Sequence, residues 1–144
     1  MTLASRNTPK LTLAGAQAVL AAAIRRAEEI GVPMDIAVVD DGGHLLAFAR
    51  MDGAKLSSIQ IALAKAYSAA TRRQASGPVT DGEQINLLLS LGLSIASHGQ
   101  QTPIRGGLPL KVDSVCVGAI GVSNGSEDQD SNVAQAGAQA LDKA

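Results

Sequence analysis

The chain has 144 residues, of which 46% are hydrophobic and 17% charged, so it is long enough to form one domain with a buried core. Its net charge of -1 and its 1% of aromatic residues argue against a nucleic-acid partner, which would need basic patches and stacking surfaces. No apolar run reaches the roughly 18 residues that span a bilayer, and no signal-peptide core is present, so we expect a cytoplasmic protein without a membrane partner.

The first half of the chain predicts two helices separated by a β-hairpin. Thr12 can cap the first helix, and apolar residues recur at helical spacing up to Gly31, a typical helix stop. Two short strand-like segments then flank Asp41-Gly42-Gly43-His44, which is a strong hairpin signal. The predicted elements are a helix over Leu11–Ile30, strands over Met34–Asp40 and Leu45–Arg50, and a helix from Ser57 or Ser58 to Arg73.

The second half predicts two further helices and two further strands. Each helix is expected to begin at a capping box, Thr80-x-x-Glu83 and Ser126-x-x-Gln129 respectively. Because the strands are joined as hairpins, we predict an antiparallel sheet with helices packed on it, an α/β arrangement of the α+β kind. The predicted elements are a helix to Leu91, a loop over 94–103, an extra edge strand near Ile104, strands over Gly106–Leu110 and Val115–Val122, and a helix to Asp142.

Two histidines are the strongest nitrogen ligands that the sequence offers for a metal. His44 lies at the hairpin turn, where we expect it to be solvated. His98 lies in the polar Ser97-His98-Gly99-Gln100 stretch, and loops held by a rigid scaffold often carry function. We therefore rank His98 above His44 for acid–base chemistry or metal ligation.

Three basic residues are candidates for binding a carboxylate. Arg50 ends the second hairpin strand and is expected to face Asp35 across the ladder in a surface ion pair. Lys65 flanks an alanine-rich helix stripe, where a lysine can be partly buried. Arg105 precedes Gly106-Gly107, whose bare backbone would let a ligand come close.

Several motifs together closely resemble the GlcG/HbpS family, a group of small haem-binding-type proteins defined as DUF336. The same module resembles the C-terminal domain of PduO-type corrinoid adenosyltransferases. The resemblance covers the chain from Leu11 to Leu141 and predicts one domain over 11–144 after an N-terminal extension over 1–10. The motifs are IAVVDDGGHLLAFARMDGA, SSIQIALAKAYSAA, GGLPL and VGAIGVSNGSEDQDSNVAQAG.

The resemblance implies a profilin-like fold with a five-stranded antiparallel sheet, assembled into homo-oligomers from dimer to octamer. It also implies haem binding in some members and small-molecule roles beside catabolic genes in others. One position departs from the family pattern, because Asn124 replaces the first glycine of a pair after Gly-Val-Ser. An amide at that point could alter the neighbouring ligand pocket.

Three functional hypotheses follow. The first is a haem- or tetrapyrrole-binding protein with His98 or His44 near the iron and an arginine on a propionate. The second is a cofactor-independent catabolic enzyme of the isomerase, hydratase or lyase type, acting on a small carboxylated compound. The third is an oligomeric accessory protein without a ligand. In the second hypothesis Arg50, Lys65 and Arg105 hold the carboxylate, and the catalytic residue that moves a proton is Asp40, Lys65 or His98. The candidate ligand-binding residues are Arg50, Arg105, Gly106, Gly107 and Asn124.

Overall fold

The computed structural model describes residues 2–5 and 7–143 and has a mixed α+β fold. None of the helices it describes is both long and apolar enough to cross a bilayer. The helices are α1 (Leu13–Ile30), α2 (Ser58–Arg72), α3 (Leu87–Ala96) and α4 (Glu127–Asp142). The strands are β1 (Asp35–Asp40), β2 (Leu45–Arg50), β3 (Thr80–Asp81), β4 (Gln84–Ile85), β5 (Gly107–Val112) and β6 (Val115–Ser123).

The main sheet is antiparallel and has four strands in the order β2-β1-β6-β5, while β3 and β4 form a separate two-stranded hairpin. The prediction of a fifth strand is therefore wrong. Ile104 lies outside the strands because side chains bind its backbone: its amide donates to the hydroxyl of Thr102, and its carbonyl accepts from Ser76. A backbone bound in this way has no free groups for a sheet edge.

Helices cover both faces of the main sheet. Along β1, Ile36 and Val38 lie in the core beneath α1 and α4, whereas Ala37 and Val39 lie in the core beneath α2. This alternation follows from the two-residue period of a strand. The two cores explain why the hydrophobic pattern of β1 is continuous rather than alternating.

Helix α2 lies unusually close to the sheet because two paired glycines leave room for its backbone. Gly107 of β5 lies opposite Gly121 of β6. A Cβ atom on Gly121 would collide with the carbonyl oxygen of Ala62, and one on Gly107 would collide with the carbonyl oxygen of Lys65. These glycines therefore serve helix-on-sheet packing.

Two helix starts match their sequence signals. Thr12 caps α1 by accepting a hydrogen bond from the amide of Gly15 at 3.0 Å. Ser126 and Gln129 form the predicted capping box at the start of α4. The first turn of α4 carries acidic side chains, which favour the positive end of the helix dipole.

The third helix differs from its prediction at both ends. Thr80 does not cap it, because Gly82 takes a left-handed conformation with a φ of 63° and turns the chain into the β3–β4 hairpin. The side chain of Asn86 caps α3 instead. The helix also continues past Leu91, into the segment for which the sequence predicted a loop.

Candidate functional site

A pocket of about 280 Å³ opens between the turn of the first hairpin, α2 and the loop that follows α3. We call it the hairpin pocket. Its walls combine aliphatic side chains with one phenol, one imidazole and two amide side chains. The lining residues are Val39, Gly43, Leu45, Gln60, Leu63, Ala64, Tyr67, His98, Gly99 and Gln100.

The ring of Tyr67 packs directly on the hairpin turn. Gly43 has a φ of 83°, and a Cβ atom built there would lie 2.5 Å from the Tyr67 ring. A glycine is therefore required at this position both by the backbone conformation and by the ring. The contact fixes the turn against α2 and forms one wall of the hairpin pocket.

The loop after α3 is held to its neighbours by side-chain hydroxyl groups. The amide of Thr102 donates to the hydroxyl of Ser68 on α2 at 2.9 Å. The amide of Gln101 donates to the hydroxyl of Ser97 at the end of α3, also at 2.9 Å. These bonds position the segment that carries the third wall of the pocket.

His98 lies within this anchored loop, in a left-handed conformation with a φ of 55°. Its amide donates to the carbonyl of Ile95, which closes the end of α3. The residue is exposed at the rim of the hairpin pocket and lines it. An imidazole beside aliphatic walls is an arrangement that can ligate iron in a tetrapyrrole.

His44 lies on the hairpin turn but does not line the pocket, and its side chain is 83% exposed. Its Nδ1 atom is 3.2 Å from Oδ1 of Asp40. That carboxylate oxygen also accepts from the amides of Gly42 and His44. Burial alone would raise the pKa of Asp40, but these hydrogen bonds outweigh it and hold the pKa below its usual value. Asp40 thus stabilises the turn as an ionised group.

Lys65 on α2 forms a buried ion pair with Asp130 on α4. The side chains of Lys65 and Asp130 are 1% and 3% exposed, and Nζ lies 2.7 Å from Oδ2. Nζ also donates to the carbonyl of Val122 at 2.8 Å, and Asp130 accepts from the amide of Gly125. Burial raises the pKa of Asp130, and the neighbouring lysine offsets this only in part.

The predicted catalytic residues are therefore not gathered in one place. Lys65 contacts Val122, which pairs with Ile36 near the start of β1, whereas Asp40 pairs with Gly118 at the other end of that strand. His98 lines the hairpin pocket, which contains neither of the other two. This arrangement does not support a proton-transfer site shared by the three residues.

Gly106 and Gly107 face protein atoms rather than open space. A Cβ atom on Gly106 would lie 2.8 Å from Nζ of Lys65 and 2.7 Å from the carbonyl oxygen of Val122. Gly107 lies against the backbone of α2, and its amide donates to the hydroxyl of Ser76. The space in which we expected a ligand is thus filled by the chain itself.

Arg50 and Arg105 lie beside opposite edges of the main sheet, because β2 and β5 are its outer strands. Arg50 pairs with Asp35 in register as predicted, but Asp35 is fully buried, and none of the residues that the structure describes forms a hydrogen bond with its two carboxylate oxygens. The expected surface ion pair is therefore wrong. The Nε atom of Arg105 lies 3.7 Å from Oε2 of Glu127. The two arginines do not form one carboxylate site.

Asn124 takes a positive φ of 106° and ties three loops together. Its Nδ2 donates to the carbonyl of Pro33 at 2.6 Å, and its Oδ1 accepts from the amide of Lys55 at 3.3 Å. It lines a shallow groove of about 270 Å³ beside the Lys65–Asp130 pair. Its amide is therefore used to position backbone, and its role toward a ligand stays a prediction.

Sequence reasoning missed the aliphatic and phenolic walls of the hairpin pocket. Gln60, Leu63 and Tyr67 are spaced three and four residues apart, so they form a second stripe on α2 beside its buried alanine stripe. That stripe was the available signal. Leu45 gave no such signal in the sequence, since a leucine at the start of a strand is equally compatible with a core or a surface position.

Comparison with known proteins identifies relatives over most of the chain. A family model described as haem degrading protein HbpS-like matches residues 11–139. An uncharacterised 15.0 kDa protein of Citrobacter freundii is 37% identical over 131 residues, which are 91% of this chain and 92% of that protein. Protein GlcG of Escherichia coli is 37% identical over 112 residues, covering 75% of this chain and 77% of GlcG. The corrinoid adenosyltransferase PduO of Salmonella typhimurium is 32% identical over 120 residues, which are 83% of this chain but 35% of PduO.

Solved structures share the same fold. The Klebsiella pneumoniae protein ORFY superposes with a TM-score of 0.88 at 33% identity, covering 100% of this chain and 99% of ORFY. A complex of PduOC with haem gives a TM-score of 0.80 at 29% identity, covering 92% and 95% of the two chains. HbpS gives a TM-score of 0.78 at 29% identity, covering 96% and 99%.

Proposed function

Because the chain belongs to the HbpS-like family, whose model matches residues 11–139, we propose that it binds haem or a closely related tetrapyrrole. The observation that carries the proposal is the position of His98 on the rim of the aliphatic hairpin pocket. A relative of the same fold, PduOC, has been crystallised with haem. The ligand class rests on that relative, and the site rests on this chain's own residues.

The residues of the hairpin pocket fit an apolar macrocycle with one nitrogen ligand. Leu45 and Leu63 would contact the ring, and His98 would hold the iron. Tyr67 places a phenol in the same pocket. The volume of about 280 Å³ lies just below the range of roughly 300–1,000 Å³ that is usual for ligand pockets. It therefore suits one edge of a tetrapyrrole, with the rest outside the pocket.

When bound, haem would supply redox chemistry and an iron coordination site. The chain's own contribution is to hold and orient the group. The bonds from Thr102 to Ser68 and from Gln101 to Ser97 fix the loop of His98, so less conformational freedom is lost when the imidazole binds iron. Neither Arg50 nor Arg105 lines the pocket, so no propionate contact is assigned to them.

Titration with haemin tests the proposal. We expect a saturable, stoichiometric shift of the Soret band for the wild-type chain. His98→Ala should weaken haemin binding by at least tenfold, because the variant loses the nitrogen that would hold the iron. His44→Ala is the matched control, since His44 is exposed and lies outside the pocket, and it should bind as the wild type does.

Two outcomes would contradict the proposal at different levels. A featureless, non-stoichiometric titration of the wild type would remove haem as the ligand. Stoichiometric binding that His44→Ala abolishes and His98→Ala leaves unchanged would keep the ligand but exclude the hairpin pocket as its site.

A further inference from the structure

The groove of about 270 Å³ that Asn124 lines lies at the start of α2, where that helix meets the end of β6 and the start of α4. We call it the α2 groove. It shares no lining residue with the hairpin pocket, so the two are separate cavities. Ile61 and Ile104 give it a half-buried aliphatic wall. The rest of its lining is polar or charged.

Two buried hydroxyl groups that line the α2 groove have no partner in the protein. Ser58 is 4% exposed and Ser123 is 5% exposed, and within the described part of the chain no residue forms a hydrogen bond with either hydroxyl. The other buried serines, Ser68, Ser76 and Ser90, all form hydrogen bonds with backbone groups. A buried polar group without a partner lowers stability. A bound molecule that accepts from both hydroxyls would recover that cost.

Lys65 supplies a third donor to the α2 groove. An ammonium group carries three N–H donors. Two of them bind the carbonyl of Val122 and Oδ2 of Asp130, and none of the described residues accepts from the third. Because Lys65 lines the groove, its third donor adds to the two free hydroxyls. Three donors without partners favour a ligand that accepts several hydrogen bonds.

The charges around the α2 groove favour an anion. The two acidic residues that line it each have a cation nearby, since Asp130 binds Lys65 at 2.7 Å and Glu127 lies 3.7 Å from Arg105. Lys55 also lines the groove, and it forms no ion pair with any residue that the structure describes. The first turn of α2 carries no acidic residue, so the positive end of its dipole is not neutralised there.

We propose that the α2 groove binds a small organic carboxylate. Its two oxygens accept from the hydroxyls of Ser58 and Ser123 and from the third N–H group of Lys65, and Lys55 supplies the positive charge that is left over. The aliphatic part of the ligand lies against the two isoleucines. Because both the ligand class and the cavity differ from those of the tetrapyrrole, this inference does not depend on haem binding.

Titration of the full chain with sodium butyrate, followed by ¹H–¹⁵N correlation NMR, tests the proposal. We expect saturable shifts of the amides of Ser58, Ser123 and Gly125, with a Kd of about 1 mM, which is reasonable for so small a ligand. Two probes with an aliphatic chain of similar length serve as controls. The neutral 1-butanol and the cationic n-butylamine should not saturate these amides over the same range.

Serine variants separate ligand binding from a structural role. Ser58→Ala and Ser123→Ala should each weaken butyrate binding about fivefold or more, because each removes a donor to the carboxylate. Their thermal midpoints should not fall, since neither hydroxyl has a partner in the protein. A structural role would instead lower the midpoint and leave butyrate binding unchanged. Ser131→Ala is the matched control, a serine on α4 outside the groove, and it should bind butyrate as the wild type does.

Four results would overturn the proposal. The first is the absence of saturable shifts up to about 50 mM butyrate. The second is equal binding of butyrate and 1-butanol, which would leave only apolar burial. The third is a set of shifts confined to the amides of the hairpin pocket. The fourth is butyrate binding that Ser58→Ala and Ser123→Ala both leave unchanged.

Discussion

The buried Lys65–Asp130 pair allows a quantitative test of what holds α2, β6 and α4 together. Lys65→Met keeps an unbranched side chain of similar length and removes the charge. Asp130 is 3% exposed, so its carboxylate would remain inside the protein without a counter-ion. The carbonyl of Val122 would lose the hydrogen bond from Nζ as well.

Breaking one half of a buried ion pair costs about 3–5 kcal/mol, since it leaves an uncompensated charge in the interior. A cost of that size lowers the thermal midpoint of a chain of this length by about 10 °C. The cost should depend on pH. Burial already raises the pKa of Asp130, and removing Lys65 raises it further. Protonation then relieves the buried charge, so the penalty is smaller at low pH and larger at high pH.

Urea unfolding followed by circular dichroism, at about pH 5 and about pH 8, measures both the size and the pH dependence of this cost. The double variant Lys65→Met with Asp130→Asn should recover at least half of the loss, because the Asn oxygen can still accept from the amide of Gly125. A loss below about 1 kcal/mol for Lys65→Met at the higher pH would refute the reasoning. A loss that is greater at the lower pH would refute it too.

Two further substitutions test the interior of the sheet. Burial raises the pKa of Asp35, and Arg50 lowers it by less. Within residues 2–5 and 7–143, neither carboxylate oxygen of Asp35 has a hydrogen-bond partner. Wild-type stability should therefore fall as the pH rises through that raised pKa, and Asp35→Asn should be more stable than the wild type by about 1 kcal/mol at about pH 8. Lower stability of Asp35→Asn in urea unfolding at that pH would contradict this. Gly121→Ala should cost about 3 kcal/mol or prevent folding, because its methyl group would collide with the backbone of Ala62 and Ala66. A thermal midpoint within 2–4 °C of the wild type, equivalent to about 1 kcal/mol, would exclude that close packing.

Local signals predicted most of the fold, because caps and turns act over a few residues. Thr12 and the Ser126–Gln129 capping box mark helix starts in both sequence and structure. Thr80 has the same local signature but starts no helix, since Gly82 turns the chain into a hairpin. The prediction of a fifth strand near Ile104 is wrong for a non-local reason. The carbonyl of Ile104 accepts a hydrogen bond from the hydroxyl of Ser76, which is 28 residues away.

The site was harder to predict than the fold, because its residues come together only through tertiary packing. The alanine-rich surroundings of Lys65 indicated burial, but not its partner Asp130, 65 residues further along. Gly106 and Gly107 indicated that another group lies close to the backbone, but a ligand and a helix are equally compatible with that signal. The sequence ranks His98 above His44, but it gives no sign that Tyr67 lines the same pocket as His98.

Haem ligation by His98 in the hairpin pocket is the central claim, and imidazole rescue tests it most directly. His98→Gly removes the side chain at a position whose φ of 55° suits glycine, so the loop should keep its conformation. Haemin should bind to this variant with an altered Soret band, and added imidazole should restore the wild-type spectrum by occupying the vacated position. If the spectrum of His98→Gly with haemin equals that of the wild type before imidazole is added, His98 is not the ligand.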